Sequence, residues 1–305
     1  MTTQEINKKF YNFAYDFLVK STPAEITESV IKSYLSVPTP EKNCKTLNDI
    51  FYRMLFSAQN RQMSVNVIGG KIGGVENLGK VINNFDVKYV VEKYVNNENV
   101  LLNDIINEFN LAGEIRTESK SLWPQYCKTI VSVAVFLSQF KDIQDFYEWV
   151  NTFYNDKKSM AVLPLLISTE LFGFQFALTC DFLKELGFTN YGKPDVHIKD
   201  ILEAYGFISE GELEDSILEK MFDMSKDANV SCYEFDKVLW LIGSGNFYKH
   251  PEFGNNGFIG KMKDDFITLA PQFKKKCLTN GFLLSTVPLL STLLVIDSGK
   301  TTKIN

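Results

Sequence analysis

LFGFQFALTCDFLKELGFTNYGKPDVHI, residues 171–198, is the stretch that decides the fold. It reads as a tight glycine-bearing turn at Leu171–Gln175, a helix from Ala177 to Leu186, a stop at Gly187 and a short loop. Pro194 leads into Asp195, after which Val196, Ile198, Ile201 and Leu202 give the apolar positions of another helix. Ahead of the turn, Met160 to Leu171 reads as an apolar helix. The order is helix, turn, helix, loop, aspartate, helix. Asp195 has two readings on these residues alone. It can be an ordinary N-cap, whose oxygen satisfies an orphan N–H. It can also be a carboxylate held at a helix start because some chemistry needs a fixed negative charge there.

Outward from this stretch the chain reads as all-α. Phe10, Phe13, Ala14, Phe17 and Leu18 share a helical face. Thr22-Pro23 predicts an N-cap with a first-turn proline. Thr46-Leu47-Asn48-Asp49 has capping-box form and opens a helix with Ile50, Met54, Leu55 and Ala58. Further helices are expected over Asp86–Tyr94, Asn99–Phe109, Pro124–Phe140 and Ile143–Tyr154. Alternating strand patterns are scarce.

A chain of 305 residues is long enough for one large domain or two lobes with a real core. Its net charge of -5 argues against a general nucleic-acid coat, although a local basic face remains compatible with it. The five cysteines, Cys44, Cys127, Cys180, Cys232 and Cys277, fit neither a disulfide framework nor a metal-cluster spacing. A reduced, cytoplasmic protein is expected, nucleoid-associated if bacterial. No secretory signal is seen in MTTQEINKKFYNF. The apolar run Phe282–Ile296 is short for a bilayer and contains Pro288, so a buried terminal segment is expected and no membrane contact.

Three segments resemble the helix–hairpin–helix (HhH-GPD) DNA glycosylase superfamily, in its endonuclease III-like branch. Leu55-Phe56-Ser57-Ala58-Gln59, followed by Ser64-Val65-Asn66, is similar to a Leu-Ser-Ala-Gln run with a later Ser-Val-Asn. Leu171-Phe172-Gly173-Phe174-Gln175 stands where the family has Leu-Pro-Gly-Val-Gly. Pro194-Asp195-Val196-His197-Ile198 is close to Pro-Val-Asp-Thr-His-Val. The resemblance spans roughly residues 45–245. It implies a two-lobed helical glycosylase fold, with a six-helix-barrel-like lobe over 45–175. The second lobe would be built from 1–44 plus 176–305 and would carry Asp195 after the hairpin.

The same resemblance implies the site. Asp195 is the catalytic carboxylate, and Gln59, Arg61, Gly173, Gln175 and Ala177 are the DNA-binding positions. Backbone N–H groups of the hairpin hold a phosphate of damaged double-stranded DNA. His197 is a hydrogen-bonded structural support rather than an acid. Gln59 fills the gap left by the flipped base, against a plain reading as a polar loop residue. Arg61 is a phosphate contact or a solvated arginine. Phe172, Phe174 and Phe176 pack in the core or stack on a base.

Two departures shape the chemistry. Gln175 replaces the second glycine, which raises the question of the turn's backbone. Ala177 stands where bifunctional members carry a lysine, so the Schiff-base route lacks its nucleophile. Lys184 reads as a solvated surface lysine. The iron–sulfur cysteines are missing, and no metal or cofactor is expected beyond a monovalent cation held by hairpin carbonyls.

The expected reaction is monofunctional hydrolysis of an N-glycosidic bond, with a lean toward alkylated purines. A carboxylate about 4 Å from the developing sugar cation contributes roughly 4 kcal/mol at an effective dielectric near 20. Felt at the transition state, that is about a thousandfold in rate. Two other readings stay open: a non-catalytic nucleic-acid-binding protein on the same fold, and a helical interaction protein. No obligate protein partner is evident. The late basic runs Lys249-His250, Lys261-Met262-Lys263 and Lys274–Lys276 are a solvated face or phosphate contacts.

Overall fold

The computed structural model describes residues 1–38, 44–59 and 67–278, and the chain is all-α. Among the described residues the only extended pairing is two isolated bridges, Asn246 with Phe258 and Asn255 with Phe258. The helices are α1 (Thr3–Ser21), α2 (Glu28–Leu35), α3 (Leu47–Ala58), α4 (Gly69–Ile72), α5 (Val87–Tyr94), α6 (Glu98–Phe109), α7 (Leu122–Leu137) and α8 (Ile143–Tyr154). They continue with α9 (Lys157–Met160), α10 (Val162–Glu170), α11 (Phe176–Glu185), α12 (Val196–Ala204), α13 (Glu214–Ala228), α14 (Cys232–Ser244), α15 (Lys263–Thr268) and α16 (Ala270–Leu278). A 3₁₀ turn, Val75–Lys80, follows α4.

Local chemistry explains most of the boundaries. Thr46 and Asp49 form the expected capping box at α3, and Thr2 with Glu5 forms another at α1. Asp86, Asp142 and Ser231 cap α5, α8 and α14 through their side chains. One expected start is wrong. Thr22 ends α1, and residues 23–26 close a turn through the Ile26 N–H and the Pro23 carbonyl. The cap of α2 is Thr27, which accepts the Val30 N–H. The Thr-Pro pair lost because a second capping threonine lies five residues on, after that turn.

Two apolar cores divide the described residues. The first gathers side chains from α3 to α11, with Tyr191 and, from α13, Leu218. Its axis is α7, which packs against α3, α5 and α6. The second joins α1 and α2 to α12–α16 around α14. The helix that follows residue 175 belongs to the first of these cores. Leu178, Phe182, Leu183 and Leu186 of α11 belong to the first core, because α11 packs on α10 and α3. The change comes after Tyr191, in the loop that leads to Asp195. All five cysteines are buried and unpaired. No helix among the described residues is long and apolar enough to cross a membrane. The run 282–296 lies outside the described residues.

Candidate active site

Asp195 caps α12. Its Oδ1 accepts the backbone N–H groups of His197 at 2.9 Å and Ile198 at 3.3 Å. Oδ2 accepts no hydrogen bond from the described residues, and the side chain is half-buried rather than sealed beneath packed helices. The approach is fixed by a three-residue turn in which the Asp195 N–H donates to the Lys193 carbonyl at 2.7 Å. Proline suits the centre of such a turn because its φ is already near the required value. Just before it, a Cβ on Gly192 would lie 2.5 Å from Met221 Cε and 3.0 Å from Cys232 Sγ. With no Cβ at this position the chain passes close to α13 and α14 without displacing the Met221 side chain.

Behind this loop lies a buried ion pair. Lys184 of α11 is 1% exposed and bonds to Asp236 Oδ2 of α14, itself 0% exposed. Lys184 Nζ also lies 3.3 Å from Asp181 Oδ1. The other oxygen of Asp236, Oδ1, accepts the backbone N–H of Lys193 at 2.8 Å. The expectation of a solvated Lys184 is thus overturned. It sits in line with Cys180, Leu183 and Gly187, the stripe of α11 that faces inward. Burial alone would lower its pKa, but Asp236, Asp181 and Glu185 hold it well above the usual lysine range. The pair joins a helix of the first core to a helix of the second.

Asp181 is the partly open member, with 15% of its side chain exposed. Burial pushes its carboxyl up, yet Lys193, Lys184, Lys237 and Arg53 together pull it well below the usual carboxylate range. Next to this group, Lys237 donates to Glu185 at 2.7 Å and to the Tyr248 hydroxyl at 3.3 Å. Arg53 Nε and Ser57 Oγ, one turn apart on α3, are buried with no hydrogen-bond partner among the described residues.

Of the His197 ring, Nδ1 is buried with no hydrogen-bond partner among the described residues. The residue packs against Gly243, where a Cβ would come within 2.5 Å of His197 Cβ. Burial depresses its pKa. Asp195 and Asp200 pull it up, Lys263 and Lys193 push it down, and the balance leaves it below the ordinary imidazole value. Lys263, from the late basic runs, reaches this neighbourhood through an ion pair with Asp200.

The turn at 171–175 is the second part. Gly173 has φ +94, and a Cβ there would lie 2.1 Å from Thr129 Oγ1, so both backbone and space demand glycine. Gln175 has φ −106, an ordinary value, so the turn does not need the second glycine. It is the N-cap of α11 but makes no side-chain cap. The first-turn N–H groups of Phe176, Ala177 and Leu178 have no intrahelical acceptor. The turn just before them lines an open hollow of about 430 Å³, with Ser132, Ser168, Thr169, Glu170, Gly173 and Gln175 among its walls. Phe174 and Phe176 are core residues. Phe172 is 40% exposed, with Lys128 Nζ 5.8 Å from its ring centre.

Comparison with family models, curated proteins and solved structures finds no match. The site therefore rests on its own residues. Asp195 and His197 share the first turn of α12, and Gly173, Gln175 and Ala177 share the turn before α11. The hollow at that turn does not include Asp195 among its lining residues. Gln59 is 3% exposed, and a Cβ on Gly69 would meet its Oε1 at 2.7 Å. It offers no side chain to solvent, because the last turn of α3 packs against α4. Arg61 and Ser64–Asn66 lie outside the described residues.

Lys184, Asp236, Asp181 and Lys193 were missed by reading motifs alone. The signal was periodicity. Cys232, Phe235, Asp236 and Leu239 fall at i, i+3, i+4 and i+7, as Cys180, Leu183, Lys184 and Gly187 do. Opposite charges on the apolar stripes of two helices imply a buried pair, since a buried charge needs a partner.

Proposed function

We propose that this chain is a monofunctional DNA N-glycosylase that releases a damaged base, with Asp195 as the reacting carboxylate. One observation carries the reading: Asp195 is both a helix cap and a half-open carboxylate with a spare oxygen. The capping bonds hold Oδ1 still. Oδ2 is left to face a developing sugar cation and to hold the attacking water. As the C1′–N bond breaks, the base leaves with the bonding electron pair, water adds at C1′ and passes a proton to Asp195, and the departing base takes up a proton, leaving an abasic site and the free base. The base is reached only after leaving the helical stack. The turn at Gly173 supports the reading, because unpaired N–H groups at a helix start favour a backbone phosphate. Ala177 brings no amine to that turn, which agrees with hydrolysis without strand cleavage.

The test uses duplexes carrying alkylated, oxidised and deaminated bases, with abasic sites afterwards cleaved by alkali. At least one lesion should yield alkali-labile product with wild-type protein. Asp195→Asn should lose about a thousandfold in single-turnover rate. Asparagine caps a helix about as well as aspartate, so this variant should keep its fold within roughly 0.5 kcal/mol. Silence of the wild type across the panel, with retained duplex binding, would instead support a non-catalytic binding protein. Undiminished release by Asp195→Asn would remove Asp195 from the mechanism.

A further inference from the structure

We infer that the buried Lys184–Asp236 pair is a positioning device that fixes, through the Lys193 backbone, where the Asp195 carboxylate sits. This rests on Asp195 being the reacting group. The hydrogen bonds run without a break. Lys184 Nζ donates to Asp236 Oδ2, and Asp236 Oδ1 accepts the Lys193 N–H at 2.8 Å. The Lys193 carbonyl accepts the Asp195 N–H at 2.7 Å, and Asp195 Oδ1 then takes the first free N–H groups of α12.

Three features make this more than an incidental ion pair. First, the loop is well tied earlier on. Asn190 N–H donates to the Tyr154 hydroxyl, Tyr191 donates to the Met160 carbonyl, and Thr189 accepts the Tyr233 N–H. From Gly192 to Pro194, however, its one hydrogen bond to another element of the described residues is Lys193 to Asp236. Second, Gly192 brings the backbone against Asp236, where a Cβ would sit 3.3 Å from Asp236 Cβ. Third, a buried pair gains little over an apolar pair of the same size, so stability alone does not explain two charges sealed in this place. Burial pushes the Asp236 carboxyl up and Lys184 pulls it back toward the charged form while holding Oδ2 turned to the ammonium, and Asp181 takes a further contact with the same ammonium. Asp236 therefore holds the register of Lys193, and the turn at Pro194 passes that register to Asp195. Lys184 and Asp236 act through other residues and do not meet the substrate.

The test compares full-length wild type with Lys184→Met/Asp236→Leu, which removes both charges and keeps the volume. Two quantities are read: hydrogen exchange at the Lys193 amide, and single-turnover release from the lesion duplex that wild type processes. The Lys193 amide should exchange at least about tenfold faster, while core amides of α7 keep their protection. Base release should fall by about ten- to a hundredfold, the scale of a small misplacement, with duplex affinity within about twofold of wild type. Asp236→Asn keeps an acceptor without the charge and should restore part of both. Wild-type exchange at Lys193, or faster exchange with undiminished release, would overturn the proposal. If the double variant does not fold, wild-type values of both quantities in Asp236→Asn overturn it. If wild type releases no base from any duplex, the glycosylase reading fails, and the Lys193 exchange alone decides this inference.

Discussion

At its N-terminus α11 has no side-chain cap and follows a turn that lines an open hollow, and toward its C-terminus it buries a lysine between two carboxylates. One helix of ten residues carries both a part that presents groups and a part that holds them. At the first end, shape comes from sterics: Gly173 is pressed onto Thr129, and the backbone donors stay open. At the second, shape comes from paired charge, with no oxygen of Asp236 left without a bond. Open donors suit a ligand that brings its own negative charge. Closed pairs suit a scaffold that must not move. Asp195 stands where the second kind of structure meets solvent, which is where a reacting carboxylate is best held.

The sharpest way to break this contrast is to unbalance the closed end. Lys184→Met leaves Asp236 buried without its cation, and losing one partner of a buried pair costs about 3–5 kcal/mol. Urea unfolding should show that loss, and the double variant with Asp236→Leu should recover most of it. A loss below about 1 kcal/mol in the single variant would mean that water or Lys237 compensates, and that the end is not closed. Next in size is the open end. Gly173→Ala meets both a φ of +94 and the Thr129 hydroxyl at 2.1 Å. Strain of this kind costs about 1–3 kcal/mol. Adding Thr129→Ala should relieve the clash and leave the backbone part, so only partial recovery is expected by the same urea measurement.

The contrast also marks what could be read in the sequence. The open end was legible because its chemistry is local. Gly173 in a short turn, a stop at Gly187 and a proline before a capping aspartate each act on their neighbours. The capping box at Thr46 and the helix Ile143–Tyr154 were legible for the same reason. The closed end was not. Lys184 and Asp236 lie 52 residues apart, and nothing near either one names its partner. A lysine on a helix is ordinarily solvated, so Lys184 looked like surface until its place in the buried stripe was taken seriously. The start of α2 failed differently: Thr22-Pro23 and Thr27 are both sound caps, and the turn between them decided. The division between the cores lies beyond Tyr191 because the apolar face of α11 finds α10 and α3, a choice that motif spacing does not encode.

The mildest test lies where the two kinds of structure meet, at His197. In the folded protein burial and two lysines hold its pKa below the ordinary value, against the pull of Asp195 and Asp200. The start of α12 adds to this, since a helix N-terminus disfavours a cation. The unfolded chain takes up the proton near pH 6.5, before the folded chain does. The contribution of neutral His197 to stability is therefore fully present above about pH 6.5 and is lost as pH falls through the folded pKa. Asp181, whose pKa is lowered, contributes its own loss only at more acid pH, below the range of an unfolded carboxylate near 4. Unfolding followed between pH 7.5 and 5.5 should show wild type losing more stability than His197→Asn, which has no proton to take up. The difference should be the smallest of the three, because His197 is only half-buried and two acids stand among its neighbours. A wild type that gained stability over the variant on acidification would mean that Asp195 and Asp200 dominate the imidazole. Asp195 would then be engaged with a cation rather than left with an oxygen to spare.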